Sequence, residues 1–245
     1  MIKKIWIVTL FPEIISPIFK FGVLSKLFDK GSFFQVNFVN PREYVPFKYK
    51  AIDDSPYGGG PGMVIRPDIL KAALEQGIFI KYQLNDEQSI KDKFITIYTS
   101  PRGARWNDLS AKQFAQNKLL NNDRDLIFIC GRYEGLDERF IQKYVDLEIS
   151  VGDYILTGGE IAVMAILDSS LRFLPNCLGN RESAWQESFS HGLLEGAVYT
   201  RPQNFEGIEV PEILLSGNHK KIAEYKNNES LRLTKLHRPD LLEKH

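Results

Sequence analysis

The chain has 245 residues, of which 43% are hydrophobic and 25% charged, and its 31 basic side chains balance 31 acidic ones. That length suits one large domain, or a main domain with a smaller one, around a sizeable core. No apolar run approaches the roughly 18 residues of a membrane span and no signal-peptide pattern opens the chain, so a reducing, cytoplasmic location is expected. The two cysteines, Cys130 and Cys177, show no metal-ligand spacing, which argues against structural zinc and for free thiols. The balanced charge hides an asymmetry: from Ser216 onward seven Lys/Arg face four Asp/Glu, and His219, His237 and His245 fall there too. Such a tail suits contact with phosphate, or is simply a solvated helical face.

In chain order, residues 5–11 (IWIVTLF) read as a buried first strand. Pro12 and Glu13 suit the first turn of a helix that runs to about Phe28 and is closed by Gly31. Alternation at 34–39 predicts a second strand, and a long polar loop then extends to Met63. Its glycine cluster at 58–62 is of a kind that cradles phosphate, but it lacks the Lys-Ser/Thr ending of a nucleotide-binding P-loop. Helical spacing at 67–76 precedes a buried strand at 94–99, which empties into a turn at 100–103, and a helix over 108–120 follows. Two further apolar runs, 126–130 and 147–151, open into glycine-bearing loops at 131–135 and 152–159. These loops lead into helices at 137–144 and 160–173.

Strand, glycine loop, helix, repeated, is the pattern of a parallel α/β sheet. Loops leaving the carboxyl ends of neighbouring strands meet on one edge of such a sheet, and glycine lets their backbone approach a ligand. Three such loops wall a small-molecule pocket made largely of main chain. None spells GxGxxG with an acidic residue about 20 positions on, which argues against a nicotinamide dinucleotide. Past Pro175 the texture becomes polar and loosely patterned over 178–196, then proline- and glycine-punctuated to His219. A helix over 220–233 follows, capped by Asn218, and a short final helix lies beyond Pro239.

Four stretches carry a more specific signal: GRYEGLDER at 131–139, VGDYILTGGE at 151–160, YGGGPGM at 57–63 and YTRPQNFEGIEVPEILLSGNHKKI at 199–222. In collinear order over nearly the whole chain, they resemble the motifs of the bacterial tRNA (guanine-N(1)-)-methyltransferases of the SPOUT superfamily, which act at tRNA position 37. The resemblance implies an α/β fold whose parallel sheet carries a C-terminal trefoil knot, an exception to the rule that chains avoid knots. A small all-α C-terminal domain would follow. The implied division is a knotted domain over 1–176, an interdomain linker over 177–194 and a helical tRNA-binding domain over 195–245. S-adenosylmethionine as methyl donor, a homodimer with active sites at the subunit interface, and a magnesium dependence are implied as well. The sequence offers no dedicated ligand set for the ion.

The cofactor positions that the resemblance implies fall on the three loops already singled out. They are Tyr98, Thr99, Ser100 and Pro101; the stretch 131–134, with Gly131, Tyr133 and Glu134 foremost; and Val151, Gly152, Asp153, Tyr154, Ile155, Leu156, Gly158 and Gly159. Any one of these glycines alone is better explained by a tight turn, and it is the convergence of three loops that reverses this. Guanine N1 carries a proton, so the reaction needs a base, and charge growing on the exocyclic oxygen calls for a cation. By family position the cation is Arg172, although on spacing alone an arginine there equally suits a helix end. The base is the carboxylate of Glu187, where better-known members carry an aspartate. Glutamate keeps the carboxylate, adds one methylene and has an ordinary pKa only about 0.4 higher. Glu182 and Glu195 are its local competitors. Ala162 stands where a proline often follows the GGE element. The resemblance favours Asp53 as a guanine contact, and Arg201 and His219 as RNA or interdomain contacts. Lys220, Lys221, Lys226, Arg232, Lys235 and Arg238 would hold tRNA phosphates. A noncatalytic RNA-binding protein of the same fold, and a related enzyme acting on another RNA atom, are the rival readings.

Overall fold

The apolar runs of the sequence become the strands of one parallel sheet. The structure, a computed structural model, describes residues 2–28, 33–45, 51–178 and 187–243. In chain order, β1 (Lys3–Val8), α1 (Pro12–Ile15) and β2 (Phe34–Val39) precede a two-residue antiparallel hairpin, β3 (Asp53–Asp54) with β4 (Val64–Ile65). There follow α2 (Pro67–Gly77), α3 (Glu87–Lys93), β5 (Phe94–Arg105), α4 (Asp108–Phe114), β6 (Asp125–Ile129), α5 (Glu138–Tyr144), β7 (Leu147–Ser150) and α6 (Gly159–Leu171). The five longer strands lie in the order β2-β1-β6-β5-β7, every pair parallel.

Both faces of the sheet are covered, which is why its central strands read as continuous apolar runs rather than alternating ones. On one face Trp6, Val8, Tyr98, Ile127 and Ile129 pack with Leu70, Ala73 and Leu74 of α2 and Phe140 and Ile141 of α5. The alternate residues face the other way, where the ring of Phe128 meets Phe114 of α4. Val163, Ile166 and Leu167 of α6 are fully buried. Full burial of each such side chain contributes about 1.5–3 kcal/mol, so the strand ends that carry the loops are firmly held. The chain passes over β5 to get from β6 to β7, and this brings the carboxyl ends of β6, β5 and β7 side by side.

Several elements differ from the sequence reading. The first strand stops at Val8, because the hydroxyl of Thr9 accepts the N–H of Phe11 and turns the chain. The single helix expected to run to Phe28 is instead the four-residue α1 followed by 3-10 turns at Ser16–Phe19 and Val23–Leu27. Pro17 has no N–H to continue a helix, and Gly22 sits at φ +75°. Gly31, expected to close that helix, lies outside the described residues, as do Glu182 and His245. The predicted turn at 100–103 is a bulge within β5, with Thr99 and Ala104 both opposite Ile149. The helix over 108–120 ends in a π turn (Ala115–Leu120). Neither α3, capped by the side chain of Asp86, nor the β3–β4 hairpin in the polar loop was read from sequence.

The chain divides into two compact units, 1–179 and 180–245. The second contains a two-residue hairpin, β8 (Asn204–Phe205) with β9 (Ile208–Glu209), then α7 (Glu212–Leu215) and α8 (His219–His237). It is therefore helix-dominated but not the all-α domain expected. Asn218 caps α8 by accepting the N–H of Lys221. Residues 187–193 form turns, with the N–H of Ser190 on the carbonyl of Glu187. The chain beyond them is tied to α8, where the Thr234 hydroxyl oxygen accepts the N–H of Leu194 at 2.9 Å. No helix among the described residues is long and apolar enough to cross a membrane.

Asp137 caps α5: its side chain accepts the N–H of Arg139 at 2.9 Å and grips the Arg139 guanidinium at 2.7 Å. The bond from Arg139 holds the carboxyl below the ordinary carboxylate range. A depressed folded-state pKa stabilises the protein fully above the ordinary value and loses that contribution as pH falls through the folded one. Asp137→Ala is therefore expected to cost about 0.5–2 kcal/mol at pH 7. In urea unfolding the gap from the unsubstituted chain should close as pH drops below about 4. A gap that does not change with pH would contradict this account.

Candidate active site

Because β6, β5 and β7 are parallel neighbours, their carboxyl-terminal loops share one rim and enclose a cleft of about 340 Å³. The first loop is the bulge of β5. Gly103 allows it, since a Cβ there would stand 2.4 Å from the backbone nitrogen of Ile149. The Arg102 guanidinium pins the bulge to β7 and α5, reaching Glu148 at 2.9 and 3.1 Å and Glu138 at 2.7 Å. The second loop, 131–135, folds over the ring of Tyr98: a Cβ on Gly131 would lie 2.9 Å from that ring. Burial raises the Tyr98 phenol above its ordinary pKa and keeps it neutral.

The third loop, 151–158, returns the chain from β7 at the sheet edge onto the second loop. The N–H of Gly159 donates to the carbonyl of Gly131 at 2.9 Å. A Cβ on Gly159 would be 2.6 Å from Thr99 Oγ1 and 2.8 Å from both Cys130 Cα and the Gly131 nitrogen. Glycine is required here by close approach of backbones, not by a turn. The β3–β4 hairpin docks on the outside of the second loop, where Glu134 N–H donates to Met63 at 2.9 Å and Ile65 N–H to Gly135 at 3.0 Å.

Of the expected cofactor positions, Tyr98, Thr99, Ser100, Pro101, Gly131, Tyr133, Glu134, Val151, Gly152, Tyr154, Ile155, Leu156, Gly158 and Gly159 all line this cleft. Asp153 does not: it is exposed, with its carboxylate 4.0 Å from Arg105. Arg132, inside the expected stretch 131–134, and Ala162, expected to affect the pocket's shape, also line the cleft, as do Gly135, Ile149, Ser150 and Thr157, which were not anticipated as cofactor contacts. Ala162 reaches the cleft because a residue three beyond the helix-opening Gly159 shares its face.

None of the expected catalytic and RNA-contacting residues is among those that line the cleft. Arg172 follows α6, thirteen residues along the helix from Gly159, or roughly 20 Å at 1.5 Å per residue. Asp53, half-buried in β3, pairs with Ile65. In the second unit Glu187 is half-buried, and Arg201, His219, Lys220 and Lys221 are exposed. Two of the expected phosphate contacts already have partners there, Arg232 with Glu229 and Arg238 with Asp240.

The cleft suits a ligand with polar edges and apolar faces. Thr99 Oγ1 is buried with no hydrogen-bond partner among the described residues, while Tyr133, Tyr154 and Ile155 expose apolar surface. These features fit the bent sulfonium nucleoside that the sequence leads one to expect. No cluster of three or more His, Cys, Asp or Glu exists among the described residues.

Gly159→Ala tests the backbone contact. Forcing a methyl group between fixed main-chain atoms is expected to cost about 1–3 kcal/mol, read as a lower denaturant midpoint at unchanged slope. An unaltered midpoint would show that the loops are not held at this spacing.

Comparison with known proteins agrees with this geometry. Residues 3–244 match the family described as tRNA (Guanine-1)-methyltransferase TrmD. The tRNA (guanine-N(1)-)-methyltransferase of Actinobacillus succinogenes is 43% identical over 240 residues, covering 98% of this chain and 91% of the relative. Enzymes of the same description from Bacillus cereus and Bacillus anthracis are each 44% identical over 240 residues, covering 98% of this chain and 92% of their own. The chain belongs to the tRNA (guanine-1)-methyltransferase family.

Proposed function

We propose that this protein transfers a methyl group from S-adenosylmethionine to ring nitrogen 1 of the guanine at position 37 of tRNA, in the cytoplasm and as a homodimer. The observation that carries the reading is the meeting of three glycine loops around one cleft in a chain of this family. The donor, when bound, supplies a methyl group already activated on a sulfonium, so no covalent enzyme intermediate is needed. The protein's part is to hold, orient and move a proton. Thr99 Oγ1 and the main chain of the three loops take the polar edges of the donor, and Tyr133, Ile155 and Leu156 flank its apolar faces.

The Glu187 carboxylate receives the N1 proton of guanine, and the Arg172 guanidinium stabilises the charge that grows on the exocyclic oxygen. Asp53 contacts the guanine edge. Drawing the base out of its stack costs a few kcal/mol, least in a single-stranded loop. Lys220, Lys221, Lys226 and Lys235, with Arg201 and His219, position the tRNA through phosphates. Arg232 and Arg238 join them by exchanging exposed ion pairs that are worth little by themselves. Residues 1–176 act as the methyltransferase domain, 177–194 as the linker that brings in Glu187, and 195–245 as the tRNA-binding domain.

Two features support the dimer. Arg172 stands roughly 20 Å along α6 from the cleft of its own chain, so it serves the cleft of a second copy. Phe11, Ile14, Ile155 and Ile161 expose apolar surface around α1, α6 and the third loop, of a kind that association covers. The path of the third loop supports a trefoil knot. From β7 the chain recrosses the ends of β5 and β6 to set Gly159 on Cys130, while 130–146 has already spanned β5 to reach β7.

Methyl incorporation into transcripts with guanine or adenine at position 37 tests the assignment. Label is expected only with guanine; equal labelling of both would mean another target atom, and donor binding without incorporation a noncatalytic RNA-binding protein. Glu187→Gln should lower kcat by about 10²–10⁴-fold at unchanged donor affinity. Retained turnover would remove Glu187 as the base.

A further inference from the structure

The second and third loops of the cleft are joined by a buried ion pair that the proposed chemistry does not use. Glu160, in the first turn of α6, is 1% exposed. Its Oε1 accepts the hydroxyl of Thr9 at 2.6 Å and Arg132 Nε at 3.4 Å, and its Oε2 lies 2.9 Å from Arg132 Nη2. Arg132 Nη1 donates to the carbonyl of Thr157 at 3.2 Å, and the guanidinium carbon sits 4.6 Å from the centre of the Phe11 ring. One side chain of the second loop thus touches the third loop, α6 and Phe11 just beyond β1. Gly158 leaves the space for it, since a Cβ there would stand 2.4 Å from Arg132 Nε and 2.6 Å from Glu160 Oε2.

We propose that Arg132 and Glu160 are positioning residues, a latch that fixes the spacing of the second and third loops so that the cleft is formed before the donor enters. The proposal rests on the reading of the cleft as the S-adenosylmethionine site. Stability alone is a poor reason for the pair, because burying two charges costs desolvation that apolar side chains of similar size avoid. The location is the better reason. Arg132 lies between Gly131 and Tyr133, and Glu160 directly follows Gly158 and Gly159, all of them cleft-lining. Arginine reaches Glu160 through Nε and Nη2 and the Thr157 carbonyl through Nη1 at the same time, which the single nitrogen of a lysine does not. A cleft whose contacts are largely main chain has no side-chain freedom with which to absorb a shift, and a 1 Å misplacement costs a reaction on the order of 10²-fold.

The test uses the full chain and three variants: Arg132→Lys, Glu160→Gln, and the double Arg132→Met/Glu160→Leu, which leaves no buried charge unpaired. Three quantities are measured: the dissociation constant for S-adenosylmethionine by calorimetry, kcat and KM with a tRNA transcript, and the denaturant midpoint. The latch predicts that the donor dissociation constant rises about tenfold or more in both single variants, while KM for tRNA changes little. In the double variant the midpoint should recover towards that of the unsubstituted chain and donor affinity should not. Affinity that follows the midpoint through all three variants, or single variants that bind the donor as the unsubstituted chain does, would overturn the latch. If the folded, unsubstituted chain fails to bind the donor, the reading of the cleft itself fails and the latch falls with it.

Discussion

The structure depends on one close approach of backbones, where Gly159 lies against Cys130 and Gly131 with its N–H on the Gly131 carbonyl. No side chain fits at that contact, so the third loop lies directly on the second, and α6 starts from the floor of the cleft. The bulge of β5 obeys the same constraint at Gly103, where it closes onto Ile149. Loops usually stand apart because side chains separate them. Removing Cβ atoms at a few positions lets three loops close into one wall around a common cleft.

The sheet makes this possible by holding the loop origins still. Fully buried strands covered on both faces leave the carboxyl ends of β6, β5 and β7 little freedom. The chain order, in which β5 lies between β6 and β7, brings together loops that are distant in sequence. Polar contacts then set the finer spacing: the fork of Arg102 holds the bulge from outside, and the Arg132–Glu160 pair holds the other two loops from within. Arg172, proposed to stabilise the growing charge, stands at the far end of α6, and Glu187, proposed as the base, belongs to the second unit.

The errors of sequence reading share a cause. The helix expected to run to Phe28 had suitable spacing, but Pro17 and Gly22 act on hydrogen bonding and φ, which hydrophobic periodicity does not register. The turn at 100–103 had the right residues, yet its fate depended on Ile149, nearly fifty residues later, across which the strand resumes. Asp153 matched a family pattern by position while its side chain lies outside the cleft, because a loop position does not dictate side-chain direction.

The sequence by itself determined the parallel α/β class, the three glycine loops and, through its motifs, the family, since all of these are written in local apolar runs and short contiguous stretches. Only the tertiary structure decided that Arg132 and Glu160 meet, that Gly159 is glycine because of Cys130 rather than a turn, and that Arg172 stands a helix length from the cleft. Those relations join residues far apart in the chain through the strand order and the packing of α6. Local propensity carries no information about which distant backbone will arrive at a given glycine.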